Sequence, residues 1–183
     1  MKSVLIIGGK LTAICAFAAV VLGFVNSVTE PVIEENKREA LEAALNRVAG
    51  DRDVGEKVQV DEGGAVQYYY PIEDPNGGYI VKLIGTGYGG DMHILAGFKT
   101  NGEVFSVVLM ENQETPGLGK KAEDPEYMKK FIGKGDDEAV PTRKDQLTQD
   151  QADAVTGATI TFMGIGNAIE EGSNFVQSLG DSG

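Results

Sequence analysis

Cysteine is nearly absent from this sequence: the one copy, Cys15, lies inside an apolar run near the N-terminus. The rest of the chain therefore has no disulfide, no thiol redox pair, no cysteine-ligated iron–sulfur cluster and no CxxCH haem attachment. Histidine is equally scarce, with His93 alone, which leaves too few ligands for a protein-held zinc site. If the chain does redox chemistry, an organic cofactor has to carry the electrons. Basic clusters are missing as well. Lys2 and Lys10 are the only charges before Glu30, and beyond them 28 acids face the remaining bases, for a formal charge of −12 over the whole chain. Binding to a phosphate backbone needs clustered Lys and Arg, so nucleic acid is excluded as a partner. Internal repeats and low-complexity segments are also missing.

Long apolar runs are confined to one place. Val4 to Val28 is interrupted only by Lys10 and a few small polar residues, and Leu11 to Val28 carries no charge. As a helix the uncharged stretch spans about 27 Å, close to the hydrocarbon core of a bilayer, and Lys10 lengthens the usable span by snorkelling. We read it as a retained single-pass anchor in the cell (inner) membrane. Val25-Asn26-Ser27 has the small residues of a signal-peptidase site, but the run exceeds an ordinary signal-peptide core. Ile14 stands where a lipoprotein signal requires a small residue before Cys15. By the positive-inside rule Lys2 and Lys10 stay cytoplasmic and the acidic remainder lies outside.

The expected organisation is an anchor over 1–29, a linking helix over 30–50 and an extracytoplasmic domain over 51–183. Ile33, Ala40, Leu41, Ala44, Leu45 and Val48 recur at helical spacing, with Pro31 in the first turn and Gly50 as the stop. Asp51 to Gly64 reads as loop with one short strand at Val58–Val60. Strands follow at Val66–Tyr70, Tyr79–Ile84, Met92–Lys99 and Glu103–Met110, with a turn at Asp74–Gly78 and an Asn101-Gly102 hairpin. A short helix around Pro125–Phe131 and a charged loop from Gly133 to Gln149 come next. Phe162, Ile165, Ile169, Gly172, Val176 and Leu179 then make one stripe of a last helix that begins close to Thr159. The fold class is α+β: an N-terminal transmembrane helix, then a mostly antiparallel sheet flanked by helices.

Three motifs carry chemistry. Gly85-Thr86-Gly87-Tyr88-Gly89-Gly90 satisfies G-x-G-x-x-G, but the next segment reads as a strand, whereas a dinucleotide site needs a helix there. A tight connection between strands, lining a cofactor, is the preferred reading. Glu114-Thr115-Pro116-Gly117-Leu118-Gly119 suits two roles equally: a Pro-Gly turn, or a loop whose backbone approaches a flat ring. Thr156 and Thr159, in Asp153-Ala154-Val155-Thr156-Gly157-Ala158-Thr159, read locally as N-caps of the last helix. The same helix start, with unpaired N–H groups, also favours a phosphate.

Asp153 to Thr159 resembles the flavinylation motif D-x-x-[ST]-G-A-T, in which a transferase joins FMN through its phosphate to the last Thr. With the N-terminal anchor, Gly87-Tyr88-Gly89-Gly90 and the Glu114–Gly119 loop, nearly the whole chain resembles the G subunit of the Rnf electron-transport complex. It also resembles that protein's cousin, the C subunit of the sodium-pumping NADH:quinone reductase, which usually carries a larger domain. The resemblance implies an FMN-binding domain, with Thr159 as covalent phosphoester acceptor and Asp153, Thr156, Gly157 and Ala158 as its flavinylation motif. Glu114, Thr115, Gly117, Leu118 and Gly119 are then FMN-contacting. It also implies an electron-relay subunit of an ion-translocating ferredoxin:NAD oxidoreductase, with no complete active site of its own. Its partners would be the other membrane and redox subunits, and a flavin transferase during maturation. Two alternatives are the sister quinone reductase and a non-redox anchored adaptor in which Thr159 only caps a helix.

Overall fold

The computed structural model of the chain describes residues 2–61, 64–74 and 77–180, with side chains from Ile6 onward. Pro75 and Asn76 of the expected turn, and residues 62 and 63 of the expected loop, lie outside the described residues. The chain divides into two compact units, Met1–Leu41 and Glu42–Gly183.

The first unit is helix. Helix α1 runs Lys2–Ala49, and from Ile6 to Val28 its side chains are exposed, including Ile14, Phe17, Leu22 and Phe24. Among the described residues it is the one helix long and apolar enough to cross a membrane. Pro31 lies inside this helix and not in the first turn of a second one. A proline there forfeits one backbone bond. Nearby hydroxyls bond to carbonyls of the preceding turn, Ser27 Oγ to Phe24 O at 2.8 Å and Thr29 Oγ1 to Val25 O at 2.9 Å. The helix ends where expected, with Gly50 at φ 63° and its N–H donating to Asn46 O.

The second unit is built on an antiparallel sheet of β1 (Val58–Gln59), β2 (Val66–Pro71), β3 (Tyr79–Thr86), β4 (Asp91–Phe98) and β5 (Val104–Glu111). Every strand pairs with its sequence neighbour, so the sheet is an antiparallel meander. The Asn101-Gly102 hairpin forms as its sequence predicts: Gly102 takes φ 84° and Lys99 N–H donates to Glu103 O. After β5 come a 3-10 turn (Gly119–Glu123), α2 (Pro125–Met128), a second 3-10 turn (Lys144–Gln146), α3 (Gln149–Ala154) and α4 (Thr159–Gly180). The segment expected to be charged loop thus contains the second 3-10 turn.

Alternation along the strands sorts two faces. Val81, Leu83, Ile94, Ala96 and Phe98 meet Phe162, Ile165, Ile169 and Val176 of α4 in the main core. Gly172 belongs to the same stripe because a Cβ there would press on Leu83 and Phe98 at 3.0 Å. Ile72, Ile80 and Leu95 on the opposite face cluster with Ala44, Val48 and Ala49 from the end of α1. The last turns of α1 therefore belong to the core of the second unit.

Candidate functional site

The site lies where three connections meet: the β3–β4 turn, the segment after β5 and the start of α4. Thr86 pairs with Asp91, so the Gly-rich stretch closes a hairpin, with Gly87 N–H donating to Gly90 O at 2.8 Å. Strand β4 follows it where a dinucleotide site needs a helix, which removes the dinucleotide reading. The segment after β5 does form a turn: Leu118 N–H donates to Thr115 O at 3.1 Å, and Gly117 takes φ 78°. The turn role holds, and residues of the same segment line a cavity.

That cavity, about 550 Å³, is lined by Tyr88 from the hairpin, by Glu114, Thr115, Leu118 and Gly119, and by Gly157 to Thr161. Its volume falls within the ~300–1,000 Å³ range of cofactor sites. Tyr88, Leu118 and Ile160 are exposed apolar side chains on its lining. A flat apolar ring beside a polar backbone fits such a surface.

The expected N-caps are corrected by the backbone. Phe162 N–H donates to Ala158 O, so Ala158 occupies the N-cap position of α4 and Thr159 is its first helical residue. Thr156 instead closes the preceding helix: its hydroxyl donates to Ala152 O at 3.0 Å and accepts from Lys144 Nζ at 2.7 Å. Gly157 turns the chain between α3 and α4 at φ 85°, a conformation that side chains other than glycine resist. Ala158 is buried, so its small size serves packing. Thr159 is half-buried and lines the cavity, and its hydroxyl has no hydrogen-bond partner among the described residues. The first N–H groups of α4 lie beside it, and at any helix start these lack intrahelical partners. The donor set thus suits a phosphate.

Glu114 is the charged residue of the lining and is only 3% exposed. Its Oε1 accepts from Gly89 N–H at 2.8 Å and its Oε2 from Thr161 Oγ1 at 2.6 Å. Hydrogen bonds to a charged group contribute about 1.5–3 kcal/mol each, offsetting a desolvation cost of several kcal/mol. Near it Tyr127 is buried with no partner for its hydroxyl among the described residues, and burial, with the Glu114 charge adding, pushes its phenol above the usual range.

Of the residues named from sequence, Glu114, Thr115, Leu118, Gly119, Gly157, Ala158 and Thr159 come together around the cavity. Gly117 is exposed outside the lining, and Thr156 is exposed outside it too. Asp153 is exposed on α3, accepting from Gln149 Nε2. Tyr88, Ile160 and Thr161 complete the lining; Tyr88 belongs to the Gly-rich stretch read from sequence as a cofactor-lining connection, while Ile160 and Thr161 bear no signal beyond adjacency to the Thr159 motif. Thr161 is 1% exposed and donates to Glu114, which leaves its hydroxyl poorly placed as an acceptor.

Comparison with known proteins matches residues 87–174 to the FMN-binding domain and residues 1–48 to the RnfG N-terminal region. The chain is 28% identical to the G subunit of the ion-translocating oxidoreductase complex of Methanosarcina acetivorans, covering 92% of both chains. It is 26% identical to the G subunit of the proton-translocating ferredoxin:NAD(+) oxidoreductase complex of Clostridium ljungdahlii, over 93% of this chain and 90% of that protein. To the G subunit of the Na(+)-translocating ferredoxin:NAD(+) oxidoreductase complex of Acetobacterium woodii it is 28% identical, over 97% of this chain and 94% of the relative.

Proposed function

We propose that this chain, related to the G subunits of ion-translocating oxidoreductase complexes and carrying an FMN-binding domain, is the electron-relay subunit of an Rnf-type complex. FMN is held covalently, by a phosphoester to Thr159. The domain beyond the anchor faces away from the cytoplasm, where a dissociated flavin would be lost. The other membrane and redox subunits of the complex supply and remove the electrons, so no complete active site is required in this chain. FMN, where bound, takes up electrons and passes them on; the protein sets its position and surroundings.

One observation carries this reading. The last Thr of the flavinylation motif lines a cofactor-sized cavity at the start of a 22-residue helix, with its hydroxyl unpartnered among the described residues, opposite the Glu114–Gly119 loop. In the proposed complex the first turn of α4 holds the phosphate, while Thr115, Leu118 and Gly119 contact the ring, with Gly117 shaping their turn. Asp153, Thr156, Gly157 and Ala158 are what the transferase recognises. Forming the ester joins Thr159 Oγ to phosphorus, releases the hydroxyl proton and expels the leaving group of an activated flavin phosphate. Glu114 is the carboxylate on the cavity lining, and its oxygens are engaged by Gly89 and Thr161, not by Thr159. This supports activation by a separate transferase.

The test is intact mass together with in-gel flavin fluorescence after denaturation. Wild-type chain produced with a flavin transferase should gain one FMN less water and fluoresce. Thr159→Ala should be colourless and of unmodified mass, as should wild type made without the transferase. Flavin retained by Thr159→Ala through denaturation would move the attachment elsewhere and overturn the assignment.

A further inference from the structure

We infer that Glu114 is a positioning residue: its buried carboxylate ties the β3–β4 turn to the first turn of α4 and thereby sets the direction in which Thr159 presents its hydroxyl. The inference rests on the flavin reading above and replaces ring contact as the role of Glu114 within it.

Both partners of this carboxylate are donors, Gly89 through its backbone N–H and Thr161 through its hydroxyl. The two donors bond different oxygens, so both ends of the side chain must accept; a carboxylate does this, whereas a side-chain amide would set a donor NH2 against one of them. The space around it is shaped to match. A Cβ at Gly87 would lie 2.2 Å from Oε1, and one at Gly119 would lie 2.2 Å from Oε2 and 2.8 Å from Thr161 Oγ1. The two glycines leave room for the carboxylate and for nothing larger. Its own backbone is held as well, Glu114 N–H donating to Asn112 Oδ1 at 3.1 Å. Among the described residues no Lys or Arg forms an ion pair with Glu114, so neutral donors alone hold this charge.

Helix geometry carries the effect to the acceptor. Thr161 follows Thr159 by two residues, about 200° around the helix. Bonding Thr161 to Glu114 fixes the rotation of the first turn of α4, and with it the direction of Thr159 on the same cavity lining. The same carboxylate anchors the loop that carries Thr115, Leu118 and Gly119, so acceptor and ring-binding loop are set relative to each other by one group.

The experiment uses the full chain co-produced with a flavin transferase, reading the FMN-modified fraction by intact mass at a fixed early time and the visible circular dichroism of the bound flavin. Thr161→Val keeps the side-chain shape and the Glu114 charge but removes the donor. It should lower the modified fraction about tenfold, the equivalent of one hydrogen bond to a charged group, and alter the flavin dichroism. Thr161→Ser should restore both, and Glu114→Gln should resemble Thr161→Val. Thermal unfolding of each unmodified variant serves as the control for stability, and Thr161→Val carries the test if Glu114→Gln does not fold. Wild-type loading and dichroism in a folded Thr161→Val would overturn the inference while leaving the flavin reading intact. A wild-type chain that takes up no flavin would instead overturn the flavin reading, and this inference with it.

Discussion

At the scale of single residues, the strongest unbalanced group is Tyr127. Its hydroxyl is buried without a partner among the described residues while Lys130 Nζ sits 3.9 Å from the ring centroid. Leaving a buried donor unsatisfied costs about 1–3 kcal/mol, so Tyr127→Phe should raise the stability of the domain by about 1 kcal/mol, measured as a higher urea midpoint at unchanged slope. A loss of stability would mean that a bound water or ligand group pairs with the hydroxyl. Neither Tyr127 nor the role of Glu114 was legible in the sequence, because partners such as Gly89 and Thr161 are distant in the chain. The motif that ends at Thr159, now on the cavity lining, was legible because it is local.

Elements explain where the sequence reading held and where it slipped. Each strand lies within a residue or two of its expected span, because the apolar, β-branched runs and the Gly and Asn turn residues that bound them are properties of the segment itself, although β3 and β4 are buried on both faces. Pro31 misled, since proline favours a helix start yet is tolerated within a helix. The opposite face of the sheet holds a group the pattern did not flag: Lys82, 8% exposed, pairs with Tyr68 on β2 and points its Nζ at Met110 Sδ, 3.2 Å away. Burial pulls its pKa down to about 8, against the raising effect of Glu111. Below that pH the charge is present in both folded and unfolded chains and its burial destabilises the fold. Between about pH 8 and 10 the folded chain sheds the proton that the unfolded chain still holds, so this group makes stability rise with pH. Above about pH 10 Tyr68 and Tyr70, whose pKa values are raised chiefly by burial, oppose the rise. Lys82→Met should reduce the rise, leaving the part that Lys130, whose pKa burial also lowers, contributes, and should stabilise the domain at pH 7 by about 1–2 kcal/mol, as read from urea unfolding at pH 7 and pH 9.5.

For the whole molecule, the place where the chain divides has a measurable consequence. The sequence reading ends the linking helix at residue 50, whereas the compact second unit begins at Glu42 and counts Ala44, Val48 and Ala49 in its core. A chain beginning at Glu42 should fold and unfold cooperatively without the anchor. One beginning at Asp51 exposes Ile72, Ile80 and Leu95 and should be less stable by about 3 kcal/mol, compared by urea unfolding of the two. Equal stability would support a boundary at residue 50. The sequence by itself determined the apolar helix, the antiparallel strands and the last helix, and it displayed the Asp153–Thr159 motif, because each is written in the spacing or identity of neighbouring residues. Tertiary structure alone decided that the β3–β4 turn, the Glu114–Gly119 loop and the start of α4 share one cavity, that Ala158 and not a threonine occupies the N-cap of α4, and that Glu114 joins all three segments. Those outcomes depend on contacts between segments far apart in the chain, which only packing brings together.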